Sequence, residues 1–173
     1  MTQPQPPQTI EQLMAQALAM EREAVERYTE LAEMMEMHNN LEVAALFRQM
    51  AGYEGHHVEH ILRDMGWSAD RAPVPHASAW STPEAPEAVP YDEMHYLMHP
   101  WHALQLARAA EQRAVEFFDA LARAAAGDDI RRAAEEMRAE EVEHVALIDA
   151  WLAKVTPPTA DWAVDPDPPR YED

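Results

Sequence analysis

The sequence predicts an all-α protein, a four-helix bundle in which two antiparallel helix hairpins are joined by one long crossover. The first observation is the position of the 14 prolines, which stand at residues 4–7, 73–100 and 157–169. The second is that the long segments between these places repeat apolar residues at steps of three and four, the period of one helix face. The third is that each such segment contains a short stretch with Asn or Gly, where two helices can turn back on each other.

The first hairpin consists of two helices, predicted at about residues 9–38 and 40–65. Apolar side chains repeat with the helical period through both segments, so each helix has one face for a core. Residues typical of helix ends mark the boundaries, namely Thr9 as the first N-cap with Gln12 three residues later, Asn39 or Asn40 as the second N-cap, and Gly66 as the last C-cap. A turn this short makes the two helices antiparallel neighbours.

The second hairpin follows a long crossover, and its parts are predicted as a crossover at 66–99 and helices at 100–126 and 128–154. Pro100 fits the first turn of a helix, where its missing N–H is not needed. Gly127 is predicted to end the third helix, and Asp128 or Asp129 to cap the fourth. The crossover is too rich in proline for one long helix, but it can form a short helix after Pro90 and cover the bundle. Two hairpins with this connection form the ferritin-like topology.

The rest of the sequence adds a tail and not a second domain. A chain of about 150 residues buries ~70% of the surface that its unfolded form exposes, which suffices for one core. We therefore expect one domain over residues 1–155 and a Pro- and Asp-rich tail over 156–173. Such a tail is either an exposed extension or a segment that docks on a partner or a sister subunit.

The composition argues against several classes of protein. With 13 basic and 32 acidic residues the net charge is −19, which disfavours nucleic acid and anionic lipid as partners and favours cations such as metal ions. The lack of cysteine excludes disulfides, iron–sulfur clusters and thiolate sites, so a metal would need oxygen and nitrogen ligands. No apolar run approaches the ~20 residues of a membrane span, and the N-terminus does not resemble a signal peptide. A cytoplasmic location is expected.

One chemical pattern occurs twice, a glutamate followed about thirty residues later by Glu-x-x-His. Residues 17–32 and 107–122 also agree at eight of sixteen positions, which indicates an internal duplication. Four carboxylates and two imidazoles are the ligands that a pair of metal ions takes in the core of a helical bundle. The first copy consists of Glu21, Glu54 and His57, and the second of Glu111, Glu141 and His144.

Helical phase places all six residues in the predicted core, because each interrupts an apolar stripe. Their heights agree too. Glu21 lies 18 residues before Asn39 and His57 lies 18 after it, so both are ~27 Å from the turn. Glu111 and His144 are likewise equidistant from the second turn. Several buried carboxylates in one core destabilise a fold strongly unless cations or protons compensate them, so the pattern predicts two metal ions.

Other polar residues receive less specific interpretations. Tyr28 lies two turns after Glu21 on the same stripe, so it is either a core tyrosine or a catalytic residue that hydrogen-bonds a ligand carboxylate or carries an oxidising equivalent. His56 and His60 are expected to point away from the cluster, and acids such as Glu140 to lie on solvated helix faces. The alternative to a metal site is a bundle without metal, which predicts that chelation leaves thermal stability unchanged.

The segments around these residues resemble rubrerythrin-like members of the ferritin-like di-iron superfamily. The resemblance covers roughly residues 9–154 and rests on AMEREAVERYTELA, AGYEGHHVEHI, HALQLARAAEQRAVEFFDALA and MRAEEVEHVALI. It implies two iron ions, with manganese or a mixed pair as a variant. It also implies a role for each candidate ligand: terminal for Glu21 and Glu111, bridging for Glu54 and Glu141, and one imidazole per metal from His57 and His144.

The sequence departs from that family in two places. Peroxide-reducing rubrerythrins carry a further carboxylate one turn after the glutamate of the third helix, where this chain has Ala114. They also carry a cysteine-rich rubredoxin module, which this sequence lacks. The expected set of four carboxylates is similar instead to the symmetric sites of bacterioferritins and di-iron oxygenases.

The resemblance implies an oxidoreductase of the ferroxidase or peroxidase type, which oxidises Fe(II) with O₂ or reduces H₂O₂ and draws electrons from a separate donor protein. Two alternatives stay open at this point. One is a di-iron substrate hydroxylase with a pocket formed by the crossover, and the other is an iron storage or delivery protein. A homo-oligomer such as a dimer is expected, with neither nucleic acid nor membrane as a partner.

Overall fold

The computed structural model describes residues 6–75, 80 and 84–159. Within these ranges it contains four long helices, one short 3₁₀ helix at Tyr91–Glu93 and no strand. The long helices are α1 (Ile10–Met37), α2 (Leu41–Met65), α3 (Pro100–Ala124) and α4 (Asp128–Leu152). Most of the contacts between helices join α1 to α2 and α3 to α4. The predicted all-α bundle of two hairpins and one long crossover is confirmed.

The ends of the first hairpin follow the predicted capping residues. The Thr9 hydroxyl accepts a hydrogen bond from the backbone N–H of Gln12 at 3.2 Å, so Thr9 is the N-cap of α1. Of the two candidate asparagines, Asn40 caps α2 by accepting from the N–H of Val43 at 3.4 Å. Gly66 ends α2 with a φ of 65°, a left-handed conformation that glycine adopts without strain.

The second turn differs from the prediction. α3 ends at Ala124 and not at residue 126, and Gly127 is the N-cap of α4 and not the C-cap of α3. Because α4 begins at Asp128, neither Asp128 nor Asp129 caps it, and both lie in its first turn. Carboxylates in that turn interact favourably with the positive end of the helix. A Cβ at Gly127 would lie 2.8 Å from Oδ1 of Asp129, so a larger residue here would require that exposed side chain to move.

The buried side chains form two main apolar clusters at different heights in the bundle. One contains Tyr28, Phe47 and Ile148, and the other contains Phe118 and Met137. Along each helix, the polar core residues lie between the part that belongs to one cluster and the part that belongs to the other. The candidate ligands therefore occupy a layer with packed hydrocarbon above and below it.

The crossover covers one side of the bundle, as its length allowed. Ala85, Ala88, Val89 and Met98 are buried, whereas only residues 91–93 are helical after Pro90. Among the described helices, none is long and apolar enough to cross a membrane. Residues 76–79 and 81–83 of the predicted crossover and residues 160–173 of the predicted tail lie outside the described residues.

Candidate metal centre

The fold brings the six predicted ligand residues together in one layer of the core. Each long helix contributes, because α1 and α3 supply one carboxylate each and α2 and α4 supply one Glu-x-x-His pair each. All four carboxylates are fully buried, and the two imidazoles are nearly so. The members are Glu21, Glu54, His57, Glu111, Glu141 and His144. Their binding of a metal remains a prediction.

One half of the cluster is centred on the Nδ1 atom of His57. This nitrogen lies 3.5 Å from Oε1 of Glu21 and 3.8 Å from Oε2 of Glu54. Oε1 of Glu141 is 4.0 Å from it. The group therefore combines one imidazole with three carboxylate oxygens that face a common point.

The other half is centred on the Nδ1 atom of His144. It lies 3.2 Å from Oε2 of Glu111, 3.4 Å from Oε1 of Glu54 and 3.6 Å from Oε2 of Glu141. Glu54 and Glu141 thus direct one oxygen to each histidine, which is the arrangement of carboxylates that bridge two metal ions. The two imidazole rings are stacked, with centroids 4.6 Å apart.

The protein groups of the cluster leave several buried carboxylates without hydrogen-bond partners. Both carboxylate oxygens of Glu21, Glu54 and Glu141 are buried without a hydrogen-bond partner, as is Nδ1 of His57. Burial raises the pKa of Glu54 and of Glu141 well above the usual range, and the negative charges of neighbouring carboxylates raise it further. Protons or cations must therefore balance the site, and oxygen and nitrogen donors suit iron or manganese.

The partly exposed edge of the cluster contains His57 and Glu140. Nε2 of His57 lies 3.9 Å from Oε2 of Glu140, and Oε1 of Glu140 lies 3.9 Å from Nδ1 of His60. Burial by itself lowers the pKa of His57, but the close carboxylate of Glu21 and the charge of Glu140 outweigh burial and raise it. A carboxylate beside the second nitrogen is typical of metal-binding histidines. The assignment of Glu140 to a purely solvated face thus missed its position next to His57.

Tyr28 makes the hydrogen bond that its helical phase made possible. Its hydroxyl donates to Oε1 of Glu111 at 3.0 Å in the buried core. Burial and the nearby carboxylates raise the pKa of Tyr28 well above its ordinary value, so the phenol keeps its proton. The equivalent residue in the second repeat is Phe118, which has no hydroxyl to donate, and both oxygens of Glu21 are without a partner. The repeat is therefore asymmetric at the site, while a catalytic role for Tyr28 stays a prediction.

A fifth carboxylate enters the site from the crossover. Glu87 is fully buried, and neither of its carboxylate oxygens has a hydrogen-bond partner. It offers an oxygen within 4.8 Å of carboxylate oxygens of Glu21 and Glu54. Sequence reasoning missed Glu87 because helical phase cannot be read in an irregular segment. The cluster therefore contains five carboxylates and not the expected four. The only signal was one acid among the small and apolar residues of APEAVP.

Comparisons with known proteins support this reading of the fold. The sequence matches the rubrerythrin family over residues 12–92. An uncharacterised conserved protein from Magnetospirillum magnetotacticum MS-1 has a solved structure that is 36% identical, with a TM-score of 0.68, and the match covers 88% of this chain and 99% of that one. The chain belongs to the rubrerythrin-like family. The predicted membership is thereby confirmed.

Two further comparisons define the limits of this rubrerythrin-like assignment. A hypothetical protein from Pyrococcus furiosus has a similar structure at 19% identity, with a TM-score of 0.51 over 84% of this chain and 89% of that one, which shows a shared fold. No curated protein matches the chain at a significant level. The family match ends at residue 92, so only the structure brings the candidate ligands of α3 and α4 to the cluster.

Replacing Tyr28 with phenylalanine is expected to weaken metal binding without unfolding this rubrerythrin-like protein. The ring remains, but Oε1 of Glu111 loses its donor, which we expect to lower the free energy of unfolding by about 1–2 kcal/mol. Loss of a residue that orients a ligand lowers metal affinity by about tenfold or more. Anaerobic Mn(II) titration measures the effect. Tyr53→Phe is the control, because the Tyr53 hydroxyl binds Gln49 at the exposed surface, and equal affinities in both variants would contradict the prediction.

Proposed function

We propose that this protein holds two iron ions between its four helices and oxidises Fe(II) with O₂ or H₂O₂. The observation that supports this proposal is the set of buried oxygen and nitrogen atoms that have no hydrogen-bond partner. Glu54 and Glu141 in this set each face both histidines. Manganese, or one manganese with one iron, would use the same ligands.

The geometry suggests which residues would hold each ion. Glu54 and Glu141 would serve both positions. Reduction of one H₂O₂ to two waters breaks the O–O bond and takes two electrons and two protons, and a pair of Fe(II) ions bound there would supply the electrons as each becomes Fe(III). The remaining ligands divide by proximity, with Glu21 and His57 at one position and Glu111 and His144 at the other.

The residues around the cluster have three tasks in this proposal. The carboxylates stabilise the higher charge of the ferric state, because hard oxygen ligands prefer hard cations. Tyr28 fixes the orientation of Glu111 through its hydrogen bond. The edge near His57, whose side chain is 15% exposed, is close to solvent, so small oxidants can reach the site there. A separate protein would return electrons to the ferric ions.

Anaerobic titration of the full chain with Fe(II) tests the proposal. We expect binding to saturate at two Fe(II) per chain, followed by oxidation when O₂ or H₂O₂ is mixed in during stopped-flow absorbance measurements. Comparison of the two rates identifies the preferred oxidant. Glu143→Gln is the control, because Glu143 is exposed on α4 between the ligands Glu141 and His144. Saturation far below two per chain in both proteins would overturn the proposal.

A further inference from the structure

The backbone on both sides of Glu87 is held by one arginine of α3. Nε of Arg113 donates to the carbonyl oxygen of Pro86 at 2.8 Å, and Nη2 donates to the carbonyl oxygen of Ala88 at 3.0 Å. The guanidinium thus binds the residues that precede and follow Glu87. These two hydrogen bonds hold the backbone at Glu87, and the side chain of Glu87 is buried in the site.

Residues of α1 hold the same segment from the other side. The carboxylate of Glu23 accepts from the backbone N–H of Ala85 at 2.9 Å, and Arg27 donates to the carbonyl oxygen of Val89. Arg27 also lies over the ring of Tyr91, with its guanidinium carbon 3.7 Å from the ring centroid. Residues 85–91 are therefore attached to both α1 and α3, and these contacts hold the backbone at Glu87 in place.

No described side chain balances the charge of Glu87. The two arginines that reach this segment donate to backbone carbonyls and to Glu84, and not to the Glu87 carboxylate. Oxygens of two other carboxylates, those of Glu21 and Glu54, lie within 4.8 Å of an oxygen of Glu87. A buried carboxylate in such surroundings destabilises the fold unless a cation or a proton is present. The position of Glu87 beside two predicted metal ligands favours a metal cation.

We propose that Glu87 is a seventh protein ligand of the metal centre and that it makes the two metal positions unequal. This inference rests on the proposed function. Glu87 lies beside Glu21, so the position of Glu21 and His57 receives one carboxylate more than the position of Glu111 and His144. The hydrogen bonds differ between the two positions as well. The carboxylate of Glu111 accepts a hydrogen bond from the Tyr28 hydroxyl, whereas the carboxylate of Glu21 has no hydrogen-bond donor among the described residues. Metal binding would add one more link between the crossover and the bundle.

Glu87→Gln in the full chain tests the inference, with Glu93→Gln, an exposed acid of the same crossover, as the matched control. Glutamine keeps the size of the side chain and removes its charge. In an anaerobic titration with Mn(II), we expect the wild type and Glu93→Gln to bind two ions per chain. We expect Glu87→Gln to bind one ion as the wild type does and the other at least tenfold more weakly. Circular dichroism verifies that the variant is folded.

Hydrogen exchange of residues 84–90 gives a second readout that is independent of activity. Mn(II) is expected to slow exchange in this segment in the wild type and in Glu93→Gln, and to have little effect in Glu87→Gln. Unchanged affinities together with equal protection in Glu87→Gln would overturn the role of Glu87 alone. A wild type that binds no Mn(II) or Fe(II) would overturn the proposed function as well, so the two failures are distinguishable.

Discussion

Replacing Glu141 with glutamine is expected to abolish paired metal binding and, at the same time, to stabilise the metal-free protein. Glu141 directs one oxygen to His57 and the other to His144, so its loss affects both metal positions. We expect the affinity for metal to fall by about 100-fold or more, beyond the effect of removing a group that only orients a ligand. Without metal, the variant has one buried carboxylate fewer, which we expect to raise the free energy of unfolding by ~1–3 kcal/mol.

Two measurements on the same samples check this prediction. Anaerobic Mn(II) titration gives the affinity, and urea unfolding in the presence of a chelator at pH 7.5 gives the free energy of unfolding. The control is Glu143→Gln, which removes an exposed acid of α4 and should change neither quantity. A variant that loses stability without metal would show that Glu141 is held by protein contacts, and the prediction would be wrong.

Metal loading is expected to reverse the pH dependence of stability between about pH 5 and pH 7.5. Burial raises the pKa values of Glu54, Glu87 and Glu141 above their unfolded values of about 4.3. The pKa of His57 is raised above its unfolded value of about 6.5 as well. The metal-free folded protein therefore binds more protons than the unfolded chain, so its stability decreases as the pH rises through this interval.

Bound metal is expected to make stability rise with pH, because a ligand must lose its proton before it binds. The stabilisation by metal therefore grows with pH, and free metal at 100 times the dissociation constant of one site adds about 2.7 kcal/mol. For a domain of this size, 1 kcal/mol shifts the melting temperature by roughly 2–4 °C, so the expected gain is roughly 5–11 °C for each site. The exposed acids Glu36 and Asp149 have lowered pKa values, set first by hydrogen bonds to arginines, and they contribute changes only at lower pH.

Thermal unfolding followed by circular dichroism at pH 5.5, 6.5 and 7.5, with chelator or with Mn(II), measures both slopes. Glu141→Gln is a useful third sample, because it should show a smaller slope without metal and little response to Mn(II). A melting temperature of the metal-free wild type that rises over this interval would contradict the predicted protonation. Equal melting temperatures with and without Mn(II) would favour the bundle without metal.

The fold was predictable because its signals are local. Thr9 and Asn40 cap the beginnings of α1 and α2 through hydrogen bonds to nearby backbone N–H groups. Gly66 ends α2 through its own backbone angles. The turn between α3 and α4 was predicted less well, since Gly127 and Asp128 each have two plausible roles in a short polar stretch. Which role each takes depends on where α3 stops, which is at Ala124.

The clustering of the six candidate ligands on the helices was predictable for a related reason. A regular helix converts spacing along the chain into direction and height, so Glu54 and His57 had to share a face with Met50 and Ile61. Glu140 was assigned to solvent because phase describes the helix alone. Its distance of 3.9 Å from His57 depends on where the bundle places α4 relative to α2.

By itself, the sequence determined the four helices, their pairing into hairpins and the six residues that a common layer of the core must contain. Local hydrogen bonds and helical periodicity carry that information, and both can be read from neighbouring residues. Only the tertiary structure decided that Glu54 and Glu141 each face both histidines, that Tyr28 binds Glu111, and that the site contains a fifth carboxylate. Glu87 reaches the site through contacts of an irregular segment with Arg27 and Arg113. The residues in those contacts are between 25 and 62 positions apart in the chain, and no periodicity links residues at such separations.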